Sequence, residues 1–254
     1  VLLILLAACS LAPESPSQGV VLPAATLTLG PRPGEPCAGT TEPGPAVQVA
    51  ALEVDPTEAT QQSWAALPGL PDDPSFGPRC PTCPVDSLTH SEARAYCAAR
   101  SVAQGLPACD TCTPTPEGLA CTAAPGECTG FRLPTGAELE RIARAGRSTS
   151  TWAGDVTVCM RHDPVLAPLG WTKTTSGGQP QPVAQRSPTP DGIYDVVGNL
   201  AEWTADEATA TGLRSLRGGS WYHNAEHARA SAVLTAPPER RFSWAGVRCV
   251  RTLP

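Results

Sequence analysis

The chain is short of charge, of aromatic residues and of repetition. Only 17% of its 254 residues are charged, with 18 Lys and Arg against 24 Asp and Glu. No basic run or stripe breaks that acidic balance, so the electrostatic footprint of a nucleic-acid partner is missing. Phe, Trp and Tyr make up 5%, and there is one Met. No period of 20 to 50 residues repeats, which excludes solenoids and propellers. The longest apolar run opens the chain, at residues 1–8, and is too short to span a bilayer. What the chain has in quantity is Pro (29) and Gly (23), which call for turns and irregular loops rather than a helical bundle. Disorder throughout is excluded by a hydrophobic content of 41% and six Trp.

Eleven cysteines require an oxidising compartment or a metal site. The apolar run 1–8 ends in small residues and reads as the hydrophobic part of an export signal, without a basic leader before it. Leu6-Ala7-Ala8-Cys9 resembles the lipobox of bacterial lipoproteins. That resemblance implies cleavage before Cys9, lipidation of Cys9, and a domain held at a membrane surface by the lipid. Residues 9–25, rich in Pro, Ser and Gly, read as the acylated Cys and a flexible tether. The folded domain is then expected over 26–254. Setting Cys9 aside leaves ten cysteines, an even number that permits complete pairing.

Within that domain, residues 26–30 and 47–54 alternate as short strands. Residues 57–67 predict a short helix with Trp64 on its buried side. Thr89-His90-Ser91-Glu92 and Thr135-Gly136-Ala137-Glu138 are capping boxes. The first opens a helix to about Ala103, stopped by Gly105; the second opens a helix that ends at Gly146. Between them, residues 106–130 hold four cysteines and too little apolar material for a core, so this insertion is expected to be stapled. Strands are also expected in 193–203, 213–221 and 242–250, the last with Val247 and Cys249 on one face. The sum is an α+β, loop-rich, disulfide-stapled domain.

One stretch concentrates polar chemistry: Arg217-Gly218-Gly219-Ser220-Trp221-Tyr222-His223, with His227 four residues on. Paired glycines in a strand pattern mark a bulge or a close backbone approach. Ser220 has no readable acid and base partners and reads as a turn hydroxyl bonded to backbone. His223 and His227 share a face only in a helical segment, which the glycines and Asn224 oppose; solvated loop histidines are the simpler expectation. Cys80-Pro81-Thr82-Cys83 and Cys109-Asp110-Thr111-Cys112 have zinc-site spacing, although export favours disulfides.

Four segments fall in a telling order: Phe131 to Thr135, Gly192 to Thr204 (GIYDVVGNLAEWT), Leu216 to Trp221 (LRGGSW) and Ala245 to Cys249 (AGVRC). Together they resemble the formylglycine-generating enzyme, or sulfatase-modifying factor, family, and the resemblance spans about 26–251. It implies the C-type-lectin-like fold in its sulfatase-modifying-factor variant. It also implies a disulfide between Cys97 and Cys249. A second family disulfide would join positions 143 and 233, where Ala143 and Val233 stand. The family's structural Ca²⁺ would take the carboxylates of Asp195 and Glu202 and the carbonyls of Gly198 and Leu200, a hard oxygen set suited to that ion. A second calcium loop has no counterpart in 152–188.

The family's copper chemistry needs two thiolates, six and eleven residues after the Arg of the RGGS motif. Here those positions are His223 and Ala228. Copper is therefore not expected, and no catalytic residue is assigned. The resemblance then implies a binding or scaffold module, taking a peptide or glycan in a groove walled by Trp221, Tyr222, His223 and Arg229. The competing reading is a family oxidoreductase with a divergent metal site around His223 and His227.

Overall fold

The computed structural model describes residues 19–39, 42–116, 118–208 and 212–254. The expected signal segment and Cys9 lie outside the described residues.

Three helices begin where a threonine hydroxyl caps them. Thr60 caps α1 (Gln61–Ala65), Thr89 caps α2 (His90–Ala103) and Thr135 caps α3 (Gly136–Arg144). In each, the side chain at the third helical position reaches back to the cap amide, satisfying two orphan donors at once. The helix expected from 57 is thus shorter at its start, because Thr60 rather than Thr57 supplies the cap. It buries Trp64, which stacks on Tyr96 of α2 at 5.7 Å between ring centres.

The strands are short and fall in four sheets. β1 (Val20–Leu22), β4 (Leu52–Val54) and β11 (Val250–Thr252) form one, with β4 central and antiparallel to both. β2 (Ala25–Thr28) pairs with β3 (Ala46–Val49). β5 (Asp110–Thr115) and β6 (Gly118–Ala123) make the hairpin of the cysteine-rich insertion. The fourth sheet has the order β10 (Ala245–Gly246), β7 (Ala201–Glu207), β8 (Arg214–Arg217), β9 (Leu234–Ala236). A turn of 3₁₀ helix follows β8 at Ala225–Ala228.

Four strand expectations need correction. The strand expected over 47–54 breaks at Ala50 and Ala51, and its halves join different sheets. Val20–Leu22, expected in the tether, is a strand whose Leu22 is buried in the core. The segment from 193 becomes a strand only at Ala201, because Asp195, Gly198 and Asn199 hold positive φ that no strand accepts. The strand expected over 242–250 is reduced to Ala245–Gly246 and the start of β11 at Val250; Val247 and Cys249 are buried as expected, and Arg248 between them is also fully buried.

Two packed clusters make the core. One centres on Leu52, Val54, Ile142 and Ile193, the other on Trp64, Phe131, Trp203 and Leu216. Cys97–Cys249 ties α2 to the end of the chain across 152 positions. Such a long closure removes much entropy from the unfolded chain, about 5 kcal/mol in the loop-entropy account. Cys109–Cys128 and Cys112–Cys121 staple the insertion, Cys80–Cys83 closes a tight turn, and Cys37–Cys159 fastens two loops. The zinc reading of the two Cys-Xaa-Xaa-Cys pairs is thereby removed, since their sulfurs are spent in disulfides.

Candidate functional site

β8 delivers Arg217 to a turn in which Gly218 and Gly219 both hold positive φ. A Cβ on Gly219 would lie 2.9 Å from the carbonyl oxygen of His227 and 3.0 Å from Ala228, so only glycine lets these backbones touch. This is the close approach that the paired glycines predict. The turn docks on the preceding loop: Gly198 N donates to Gly218 O at 2.8 Å, and Trp221 N donates to Asn199 O at 2.8 Å. Two regions therefore meet here, the 195–202 loop behind the turn and the 221–228 segment in front of it.

Behind the turn, carboxylates crowd together. Glu58, Asp195 and Glu202 are all at least 98% buried, and so is Arg248. Glu58 accepts from Leu200 N (2.7 Å) and Asn199 Nδ2 (2.6 Å), which fixes the loop from its far side. Asp195 Oδ2 accepts from Ala184 N at 2.7 Å. Arg248 donates to Glu202 Oε1, Asp55 O and Tyr194 O. Asp195 Oδ1 and Glu202 Oε2 have no partner among the described residues. Burial pushes all three carboxyls up, most strongly Glu58, to which the charges of Asp195 and Glu202 add. Three buried acids facing one guanidinium leave negative charge uncompensated, a costly state that a divalent cation would relieve. Two free carboxylate oxygens on a tight loop are the donor type that a hard cation takes. Among the described residues no cluster of three His, Cys, Asp or Glu side chains has metal-ligand geometry by itself.

In front of the turn lies an aromatic patch. Tyr222 is 55% exposed. His223 packs edge-on against Trp244 (4.9 Å), Tyr222 (5.7 Å) and His227 (5.3 Å), and Trp244 stacks on Phe242 at 4.6 Å. Trp221 Nε1 donates to Ser243 O at 2.9 Å, locking the two segments together. The 3₁₀ turn brings the two histidines into contact, which the glycines had argued against. They are not solvated singles. His223 Nδ1 lies 2.7 Å from Ser220 Oγ, and burial, then His227, lowers its pKa to about 4. A neutral imidazole in an aromatic cage is apolar surface with one nitrogen for hydrogen bonding.

Ser220 is fully buried, and its hydroxyl accepts from Tyr222 N at 3.2 Å. That is the turn role expected of it. At the family's two copper positions stand half-buried His223 and Ala228, the latter 1% exposed and pressed under Gly219. Every cysteine among the described residues is in a disulfide. No thiol remains there for Cu(I).

Arg229 is not a groove wall. Its guanidinium is buried against Glu35 (2.9 Å) and Ser231 (3.0 Å), since a charge at that depth needs a partner. Near it, Glu140 holds Arg144 (2.8 Å) and Arg217 (3.2 Å). These ion pairs knit α3 to residues 217–231, the region where the family's second disulfide would have begun at Ala143. Glu58, Phe242 and Trp244 complete the two regions but escape sequence reading. Glu58 looks like a surface acid before a helix, and Phe242 and Trp244 look like a strand's packing face.

The short irregular sheets, the capped helices and the docked glycine turn define a C-type-lectin-like fold of the sulfatase-modifying-factor type. The family profile for the sulfatase-modifying factor enzyme 1-like domain matches residues 9–253, and the chain belongs to that family. It is 29% identical over 200 residues to the chaperone protein LppX of Paenibacillus barcinonensis, covering 68% of this chain and 70% of that one. It is 28% identical over 183 residues to the inactive C-alpha-formylglycine-generating enzyme 2 of Bos taurus, covering 65% of this chain and 49% of that protein. In structure it resembles variable protein 1 of Treponema denticola, with a TM-score of 0.76, 24% identity, and 92% and 95% of the two chains covered.

Proposed function

We propose that this chain is a non-catalytic binding module of the sulfatase-modifying-factor family. The observation that carries it is the replacement of both copper thiols by His223 and Ala228 on an otherwise intact glycine turn, with no free thiol among the described residues. Two relatives support the same direction by their names, one an inactive enzyme and one a chaperone. The ligand, a peptide or a glycan, lies on the aromatic patch of Trp221, Tyr222, His223 and Trp244. Flat half-exposed rings offer stacking area at low entropy cost, and the neutral His223 adds a directional hydrogen bond.

In this reading one Ca²⁺ sits on the 195–202 loop, on Asp195, Glu202 and the carbonyls of Gly198 and Leu200. It holds the turn that presents the patch. The five disulfides fit an oxidising compartment outside the cytoplasm. Among the described residues no helix is long and apolar enough to cross a membrane. A lipid on Cys9 supplies the membrane contact in the proposal.

Peptide and glycan arrays probed with purified protein test the reading. Binding that is lost in Tyr222→Ala, with an unchanged melting temperature, supports it. Iron or copper at one per chain that disappears in His223→Ala, together with O₂ consumption, supports the oxidoreductase reading built on His223 and His227 and ends the binding-module one.

A further inference from the structure

A cleft between β2 and the end of α3, lined by none of the glycine-turn residues, has a volume of about 550 Å³. That size is typical of small-ligand sites. Its floor is apolar, from Leu22, Ala25 and Leu27, and its rim carries Arg141 and Arg147. Arg141 is 9% exposed, and its guanidinium donates only to backbone carbonyls, of Pro23 and of Ala50. Neither Arg141 nor Arg147 forms an ion pair with a described residue, whereas Arg32 and Arg144, also at this cleft, are paired with Asp155 and Glu140. Arg147 is exposed, as an unpaired arginine ordinarily is, but Arg141 is buried without an ion pair. A buried cation satisfied by carbonyls alone still lacks its counter-charge. The nearest compensation is Asp191, an exposed acid at the same cleft that acts on Arg141 through space.

We propose that this cleft is a binding site for a carboxylate with an apolar tail, of the fatty-acid class. The carboxylate sits between Arg141 and Arg147, in the geometry that a guanidinium fork suits, and the tail lies along Leu22, Ala25 and Leu27. Asp191 competes with the ligand for the same cations. The site is independent of the aromatic patch, so either is able to fail without the other.

Calorimetry on the full chain tests this with four probes: dodecanoate, dodecanol, acetate and phosphatidylglycerol vesicles. Dodecanoate is expected to bind, with dodecanol and acetate each weaker by about tenfold or more, a difference of about 1.4 kcal/mol. Arg147→Ala, at an exposed position, weakens dodecanoate by about fivefold, and Asp191→Asn tightens it by about threefold. Tyr222→Ala leaves it unchanged. Dodecanol binding as tightly as dodecanoate overturns the proposal, as does an Arg147→Ala variant with full affinity. Binding to the vesicles without binding to free dodecanoate assigns the arginines to a membrane surface and also overturns it. Arg141→Met is the most direct variant; should it fail to fold, Arg147→Ala and Asp191→Asn still decide the matter.

Discussion

The two sides of the glycine turn have been treated differently by the same fold. Behind it, Glu58, Asp195, Asn199, Glu202 and Arg248 form a buried network whose polar atoms are paired except Asp195 Oδ1 and Glu202 Oε2, which have no partner among the described residues. In front of it, Tyr222, His223, His227, Phe242 and Trp244 touch through ring edges and faces, with Tyr222 largely in solvent. A change behind the turn strands a charge in the interior. A change at Tyr222, in front of it, swaps one surface group for another. The family's two copper positions, His223 and Ala228, lie in front of the turn, while the buried carboxylates of Glu58, Asp195 and Glu202 lie behind it with Arg248. The first carry no thiol, and the charged network of the second is present with the fold.

That contrast breaks or sharpens under four measurements. The largest effect is expected from Arg248→Met, which leaves Glu202, Asp195 and Glu58 without their cation; chemical denaturation should show a loss of about 3–5 kcal/mol. Next comes acid. His90 is buried against Trp203 and under the carbonyl of Thr204, and burial lowers its pKa from 6.5 to about 4. A depressed histidine is neutral in the fold and protonated in the unfolded chain across that window. Its contribution is full above pH about 6.5 and fades as the pH falls towards about 4, by up to about 3 kcal/mol. His90→Gln should flatten that limb of the stability–pH curve; an unchanged limb contradicts the assignment. Third, Ca²⁺ should raise the melting point by an amount equivalent to about 1–3 kcal/mol, and Asp195→Asn should abolish the rise. An equal rise in Asp195→Asn places the ion elsewhere. Smallest is Tyr222→Ala, expected to change stability by less than about 0.5 kcal/mol, because its ring is mostly exposed. A loss of several kcal/mol there erases the distinction between the two sides.

Local chemistry made much of this legible in advance. The capping boxes at Thr89 and Thr135 place their helices correctly because a cap is a contact within four residues. Gly218-Gly219 announces a close approach because only glycine has the φ and the missing Cβ. The motifs around Gly192 and Leu216 carry the fold, and with it the Cys97–Cys249 pair. What stayed hidden depends on distant partners. Glu58 meets Asn199 across 141 positions, and Arg229 meets Glu35 across 194, so nothing near either residue tells a buried charge from an exposed one. The contact between the two histidines is hidden for a related reason. One turn of 3₁₀ helix at Ala225–Ala228, held under Gly219, does what no helical pattern in the sequence suggested.

Copper retention tests the central claim most directly. The purified chain is loaded with Cu(I), passed through a desalting column, and assayed for bound copper and for oxidation of a cysteine-containing sulfatase peptide in the presence of O₂. With His223 and Ala228 in place of two thiols, the account predicts no copper retained and no aldehyde formed. One copper per chain, lost in His223→Ala and accompanied by conversion of the peptide cysteine to formylglycine, contradicts it.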